Sequence, residues 1–206
     1  MQKAKNIIKQ YKLDIPAETE TAYNIALKRL PNIIVSHKAL YKNVEFADAI
    51  FWDESTMYLM HNKGEFNGIG ARDLINQILT AAECLQRNLG TSGYKGLPQY
   101  YRAICQINKM QEMPQANRDT FIKLFSTRKI CFITGFIKGF KVDSSSTYAK
   151  YLTIEANKRM SAKGFEFIPL DTGKPKVTST ETVVLPFPPM NNRTKSLRGE
   201  KNIKNY

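Results

Sequence analysis

VEFADAIFWDESTMYLMHNK, residues 44–63, decides the fold class of this chain. Its first nine residues are mostly apolar or aromatic and run into Asp53-Glu54-Ser55, a turn-forming triplet. From Thr56 a second β-rich run leads to Asn62. Two such runs on either side of a polar triplet predict strands over 44–52 and 56–62, joined as a hairpin. Side chains alternate faces along a strand. Phe46, Asp48, Ile50 and Trp52 therefore share one side of the first strand, and Met57, Leu59, His61 and Lys63 one side of the second. Pairing across the turn brings Asp48 near the level of His61, where a glycine-containing loop over 63–70 begins.

Towards the N-terminus, residues 33–35 are a short β-branched run, and residues 18–30 predict a helix. Acids occupy its first turn, Lys28 and Arg29 its last, and Pro31 follows. Ala22, Tyr23, Ile25, Ala26 and Leu30 suit one buried face. Ile7, Ile8 and Tyr11 give residues 1–13 a short amphipathic helix that leaves Lys3, Lys5, Lys9 and Lys12 in water. Towards the C-terminus, Leu74, Ile75, Ile78, Leu79, Ala82 and Leu85 recur at three and four, predicting a helix over 71–89 that Gly90 stops. Shorter helices follow over 99–111 and 118–125, divided by Pro114. A strand over 129–138 comes next. A helix capped within Ser144-Ser145-Ser146 then runs to about Ala162, Gly164 closes it, and a strand over 165–170 ends the pattern.

This order (helix, three strands, helix, small helical insertion, strand, helix, strand) predicts an α/β (α+β) fold, a mixed β-sheet with flanking helices. It makes one domain over 1–170. Residues 171–206 carry seven basic residues against three acidic ones and no helical period, and are expected to form an extended or disordered basic tail.

The chain has 206 residues, and 42% of them are hydrophobic, which excludes wholesale disorder. Thirty-one Lys and Arg against 18 Asp and Glu give a formal net charge of +13. An excess of that size points to a polyanion, most directly nucleic acid. The most apolar runs, such as 129–140, are too short and too interrupted by Lys to cross a bilayer, so no membrane partner is expected. Residues 1–13 do not resemble a signal peptide. Cys84, Cys105 and Cys131 are odd in number and set among apolar residues, which suits small buried side chains in a reducing, cytoplasmic setting.

Chemistry concentrates around Asp48, His61 and Lys63. Hydrolysis of a phosphodiester needs a cation to lower the pKa of water and polarise the phosphoryl group, and a positive group to hold the nucleophile. Asp48 and His61 are the candidate metal ligands, and Lys63 the candidate partner of the water. The bland alternative is a turn-side Asp in solvent beside a His-x-Lys that arose by chance.

This arrangement resembles the PD-(D/E)xK nuclease superfamily, the restriction-endonuclease-like core. There an Asp sits on the second core strand and an acid-x-Lys motif ends the third. A helix, a fourth strand, another helix and a fifth strand follow. The resemblance covers most of 18–170 as topology and a handful of residues as motif. Asp48 matches the first acid, with Ala47 in place of the usual Pro, and Lys63 matches the lysine. His61 departs from the expected Asp or Glu. The helix before the sheet often contributes a Glu in that family, and Glu18 or Glu20 stands in the matching place, Glu20 as a third metal ligand. Residues 44–48 and 59–63, with the loop and helix after them, also resemble a sporadically distributed family of uncharacterised function. Its members occur in bacteria and viruses near restriction and mobile defence genes, and they carry His-x-Lys in this place. The resemblance implies a nuclease-like protein of a phage-defence or mobile-element system. A divalent metal is implied as cofactor; histidine suits Mn²⁺ better than Mg²⁺. A degenerate, non-catalytic module that binds nucleic acid or assembles with protein through its tail stays open beside it.

For the nucleic acid itself, DNA ahead of RNA, the candidate contacts are Lys38, Tyr100, Tyr101, Arg102, Lys138 and Lys141, the tyrosines by stacking. Trp52, Tyr58, Phe66 and Tyr94 are weaker stacking candidates. Gln77 stands where some nucleases of this class carry a polar site residue, although an ordinary exposed helix position explains it as well. His37 has no visible partner and reads as a surface residue. The loop 64–70 lacks the spacing and the Lys-Ser/Thr ending of a phosphate loop. Neither a Gly-x-Ser-x-Gly elbow nor a Cys-x-x-Cys zinc pattern is present.

Overall fold

The computed structural model describes residues 2–90, 95–139 and 146–173, without the side chains of 88–90 and 146. The chain divides into a compact unit, Met1–Pro175, and a second, Lys176–Tyr206. The tail expectation therefore lies almost wholly outside the described residues, as do Tyr94, Lys141, Ser144 and Ser145.

The folded unit is a mixed α/β structure. Helices α1 (Gln2–Tyr11) and α2 (Glu20–Leu27) precede β1 (Ile34–Val35), β2 (Leu40–Tyr41), β3 (Val44–Glu45), β4 (Ala49–Trp52) and β5 (Thr56–Lys63). Helices α3 (Gly68–Gly90), α4 (Leu97–Asn108) and α5 (Arg118–Thr127) lead to β6 (Lys129–Phe136). The unit closes with α6 (Ser146–Ala162) and β7 (Glu166–Asp171). Five strands form one sheet in the order β1-β4-β5-β6-β7. β1–β4 and β4–β5 are antiparallel; β5–β6 and β6–β7 are parallel.

Both faces of this sheet are covered. Met57, Leu59, Phe132 and Phe136 pack on one side with Leu74, Ile78, Ala82 and Leu85 of α3. Tyr58, Met60, Cys131 and Ile133 pack on the other with Ile7, Tyr11, Tyr23 and Leu27 of the first two helices. Double coverage is why the strands read as nearly unbroken apolar runs rather than clean alternations. The turn between β4 and β5 forms where expected: the Asp53 carboxylate accepts from the amides of Ser55 (2.8 Å) and Thr56 (2.7 Å). Cys105 and Cys131 are buried, Cys84 is half-buried, and all three are thiols; burial pushes the Cys131 thiol up. Among the described residues no helix is long and apolar enough to cross a membrane.

The helices differ from expectation mainly at their ends. α2 starts at Glu20 because Thr19 caps it, accepting from the Ala22 amide at 3.1 Å. It ends at Leu27 with turns following, and Ile25, expected in the buried face, is 54% exposed. α3 begins at Gly68, inside the expected loop, because the Asn67 side chain accepts from the Gly70 amide at 2.7 Å. A Cβ on Gly70 would sit 2.7 Å from the Glu65 carbonyl oxygen, so that turn requires glycine.

One difference shapes the site. Residues 44–52 are not a single strand. β3 leaves the main sheet and pairs antiparallel with β2, an element the sequence pattern did not predict. Lys42 and Asn43 join them at φ +49° and +63°, as a two-residue hairpin turn requires. Phe46 is fully buried, Ser36 donates its hydroxyl to the Ala47 carbonyl at 2.7 Å, and its amide donates to the Asp48 carbonyl at 2.8 Å. These contacts bend the chain back into the sheet at Asp48.

Candidate metal centre

The β2–β3 hairpin closes a loop whose two ends meet. His37 leaves β1, Asp48 enters β4, and the pairing of Ser36 with Asp48 holds the ends side by side. His37 Nδ1 donates to Asp48 Oδ1 at 2.5 Å. Asp48 Oδ2 accepts from the Asn62 amide of β5 at 2.7 Å. Glu45 turns in from β3: its Oε1 accepts from the Lys38 amide and lies 3.5 Å from His37 Nδ1. One donor atom from each of His37, Glu45 and Asp48 lies within 4.8 Å of the others. Asp48 is buried, whereas His37 and Glu45 are half-buried, so the cluster opens to solvent on the hairpin side.

The electrostatics follow from this crowding. Burial pushes the Glu45 carboxyl up to about 7, and the negative charge of Asp48 adds to the effect. The Lys38 amide and His37 oppose it. His37 is raised, chiefly by its hydrogen bond to Asp48, against the opposing effect of burial. Glu45 and His37 thus hold protons more readily, and a divalent cation can replace those protons by offsetting the carboxylates directly. An imidazole with two carboxylates suits Mn²⁺ or Zn²⁺ better than Mg²⁺, so the residues present fit the metal that the resemblance implies.

The other predicted residues take different places. Ala49 pairs with Met60, which brings Asp48 alongside His61 and Asn62 as the hairpin register requires. His61, however, is not in the donor cluster. It is 1% exposed, its Nε2 donates to the Phe46 carbonyl at 2.8 Å, and burial lowers its pKa. Its predicted partnership with Asp48 as a ligand is replaced by His37, because the bend at Phe46 fills the space beside the His61 ring with backbone. Glu20 also lies apart from the cluster: it sits 3.5 Å from Lys63 Nζ and accepts from the Gly64 amide at 3.1 Å. Glu18 is exposed ahead of α2. Asn62, between the two motif positions, donates its side-chain amide to Asn24 of α2 at 2.8 Å.

Stacking by Tyr100 and Tyr101 is corrected by their burial. The Tyr100 ring is fully buried 4.7 Å from that of Phe46 and supports the bend from below. Tyr101 donates its hydroxyl to the Ala116 carbonyl at 3.0 Å and accepts from the Met113 amide at 2.9 Å. They share the buried face of α4 with Leu97, Ile104 and Cys105, which marks an amphipathic helix, not a base-binding edge. Arg102 and Lys38 are exposed. Lys138 is also exposed and pairs with Glu65 at 3.2 Å.

His37 and Glu45 are the residues that sequence reasoning missed. The available signal was Lys42-Asn43 between Tyr41 and Val44, a short hairpin turn that folds His37 back onto Asp48. Beside Glu45 an open groove of about 400 Å³ separates the hairpin from α3, and Gln77 is among the residues lining it. Comparison with protein-family models, with curated proteins and with solved structures finds no match to this chain.

Proposed function

We propose that this chain is a divalent-cation-dependent nuclease built on a restriction-endonuclease-like core, acting on nucleic acid, DNA ahead of RNA. Its setting is a cytoplasmic phage-defence or mobile-element system. The observation that carries the proposal is the convergence of His37, Glu45 and Asp48 donor atoms within 4.8 Å at the start of the strand that precedes Lys63. The antiparallel β1-β4-β5 meander, followed along the chain by helices and parallel β6 and then by α6 and parallel β7, supports it, because the resemblance implies a succession of this kind. The net charge of +13 supports a polyanionic substrate.

Asp48, Glu45 and His37 would hold the cation, which when bound would lower the pKa of water and polarise the phosphoryl group. Asn62 fixes the Asp48 carboxylate through its amide, and Lys63, the next residue, carries the ammonium that orients the attacking water. Glu20 positions that ammonium. His61 acts through the backbone, holding the Phe46 carbonyl and with it the bend from which Glu45 and Asp48 project.

Plasmid cleavage with Mn²⁺, Mg²⁺ and Zn²⁺ by the wild type, Asp48→Ala and Lys63→Ala tests the proposal. Cleavage that requires Mn²⁺ and is lost in both variants is expected; equal cleavage by all three, or none with any metal, overturns it.

One observation favours a second reading, a non-catalytic binding module. Asp48 is already satisfied by His37 and the Asn62 amide, and Lys63 by Glu20, a closed network that needs no ion to persist. That reading expects salt-sensitive nucleic-acid binding unchanged by Asp48→Ala.

A further inference from the structure

The groove beside Glu45 has a lining unlike the rest of this basic protein. Leu40, Asn43 and Glu45 of the hairpin face Asn76, Gln77 and Thr80 of α3 across about 400 Å³. Among the described residues no lysine or arginine lines it, and the charge they bring to it is the carboxyl of Glu45. Phosphate is therefore a poor occupant. Three carboxamides, a hydroxyl and an apolar wall suit a neutral, flat group with several hydrogen-bonding edges, and the volume falls in the range of small-molecule pockets.

The supports are built in. Asn76, Gln77 and Thr80 stand on one exposed face of α3, one turn of helix apart. Asn43 is held at φ +63° in the two-residue turn, a position that favours Asn. Leu40 is 49% exposed on β2, an apolar side chain left in solvent beside polar neighbours. The hairpin also carries Lys42, whose Nζ lies 5.4 Å from the centre of the Tyr41 ring, and Lys38 precedes it. Both lysines lie outside the groove lining, where backbone phosphates flanking an inserted base would run.

We infer that this groove receives one unpaired nucleobase of the substrate strand, adenine by preference, next to the metal cluster. The inference rests on the nuclease reading and names the form of its substrate: a strand with an accessible base, not an intact duplex. Asn and Gln side chains pair with the N6 and N7 edge of adenine through two hydrogen bonds. Glu45 joins the groove to the metal cluster, so a base seated there places its own phosphate near the scissile position.

The test uses the full chain in metal-free buffer and reads fluorescence anisotropy with three probes of equal length. These are an octamer of deoxyadenylate, the matching abasic octamer of the same charge, and a blunt duplex. The wild type is expected to bind the adenylate octamer about tenfold tighter than the abasic one, the effect of one good two-bond base contact. Asn76→Leu with Gln77→Leu, both on exposed positions, should bind the two at the same weaker affinity. Asn76→Gln with Gln77→Asn, which keeps the amides, should retain part of the preference. Equal binding of both octamers by the wild type, or a preference that survives the double leucine variant, overturns the inference. If Mn²⁺-dependent cleavage persists with no base preference, the inference alone fails. If the wild type neither binds nor cleaves nucleic acid, the nuclease reading fails with it.

Discussion

His37 and Asp48, separated by the β2–β3 hairpin, are joined by a 2.5 Å hydrogen bond from Nδ1 to Oδ1. The bond ties the exit of β1 to the entry of β4 and fixes a carboxylate that is otherwise buried against the Asn62 amide. Removing either partner leaves a polar group in a poorly solvated place. The same pair supplies two of the three donors that a cation would use.

Asp48→Ala should therefore do two things at once. It should abolish Mn²⁺ binding measured by isothermal titration calorimetry, and it should lower stability by about 2 kcal/mol in urea unfolding, the cost of leaving the Asn62 amide and the half-buried His37 without their charged partner. Asp48→Asn keeps the shape and should lose less stability while still losing the ion. Mn²⁺ binding at the wild-type level in both variants would mean that the cluster is not the metal site.

Lys63→Ala separates chemistry from folding. Its pairing with Glu20 is 3.5 Å long and part-exposed, so stability should change by no more than about 1 kcal/mol. Cleavage should fall by about a hundredfold or more, as expected when a positioned group is lost from proton transfer or nucleophile activation. A variant as active as the wild type would remove Lys63 from the mechanism.

Gly135 lies opposite Asn62 in the parallel β5–β6 pairing. A Cβ there would meet Met60 Cε at 2.4 Å and the Asn62 side-chain oxygen at 2.5 Å. Gly135→Ala should cost about 2 kcal/mol by overpacking. Asn62→Ala in the same chain should recover part of that loss, which thermal unfolding of the single and double variants can measure.

His61 provides a pH signature. Burial holds its folded pKa below the unfolded value near 6.5, so the unfolded state binds more protons when the solution is acidified. Stability should be full above about pH 6.5 and fall below it, by up to about 1.4 kcal/mol per pH unit until the folded pKa is reached. His61→Gln should lose that part of the acid slope in urea titrations between pH 7 and 5. An unchanged slope would show that the ring does not stay neutral in the fold.

The positions of most elements could be read locally. The three-and-four spacing on α3 has all six of its marked residues buried, and the Asp53-Glu54-Ser55 turn registers β4 against β5. Those features depend on neighbours within a few residues, where periodicity and turn chemistry act. The stacking role for Tyr100 failed for the opposite reason. An exposed aromatic and one packed under a bend in another element have the same local pattern, and only the contact with Phe46 tells them apart.

By itself, then, the sequence determined a mixed α/β unit with helices on the faces of its sheet, and it singled out Asp48, His61 and Lys63. Both follow from short-range regularities: alternation along strands, the helical period, and a turn that sets a register. The company Asp48 keeps was decided by tertiary structure. Lys42 and Asn43 reverse the chain in two residues, so His37 and Glu45 arrive at its carboxylate while His61 closes on the Phe46 backbone. Side chains from three separate segments meet only after that reversal; Lys42-Asn43 marks the turn, but the spacing of His37, Glu45 and Asp48 does not encode their meeting.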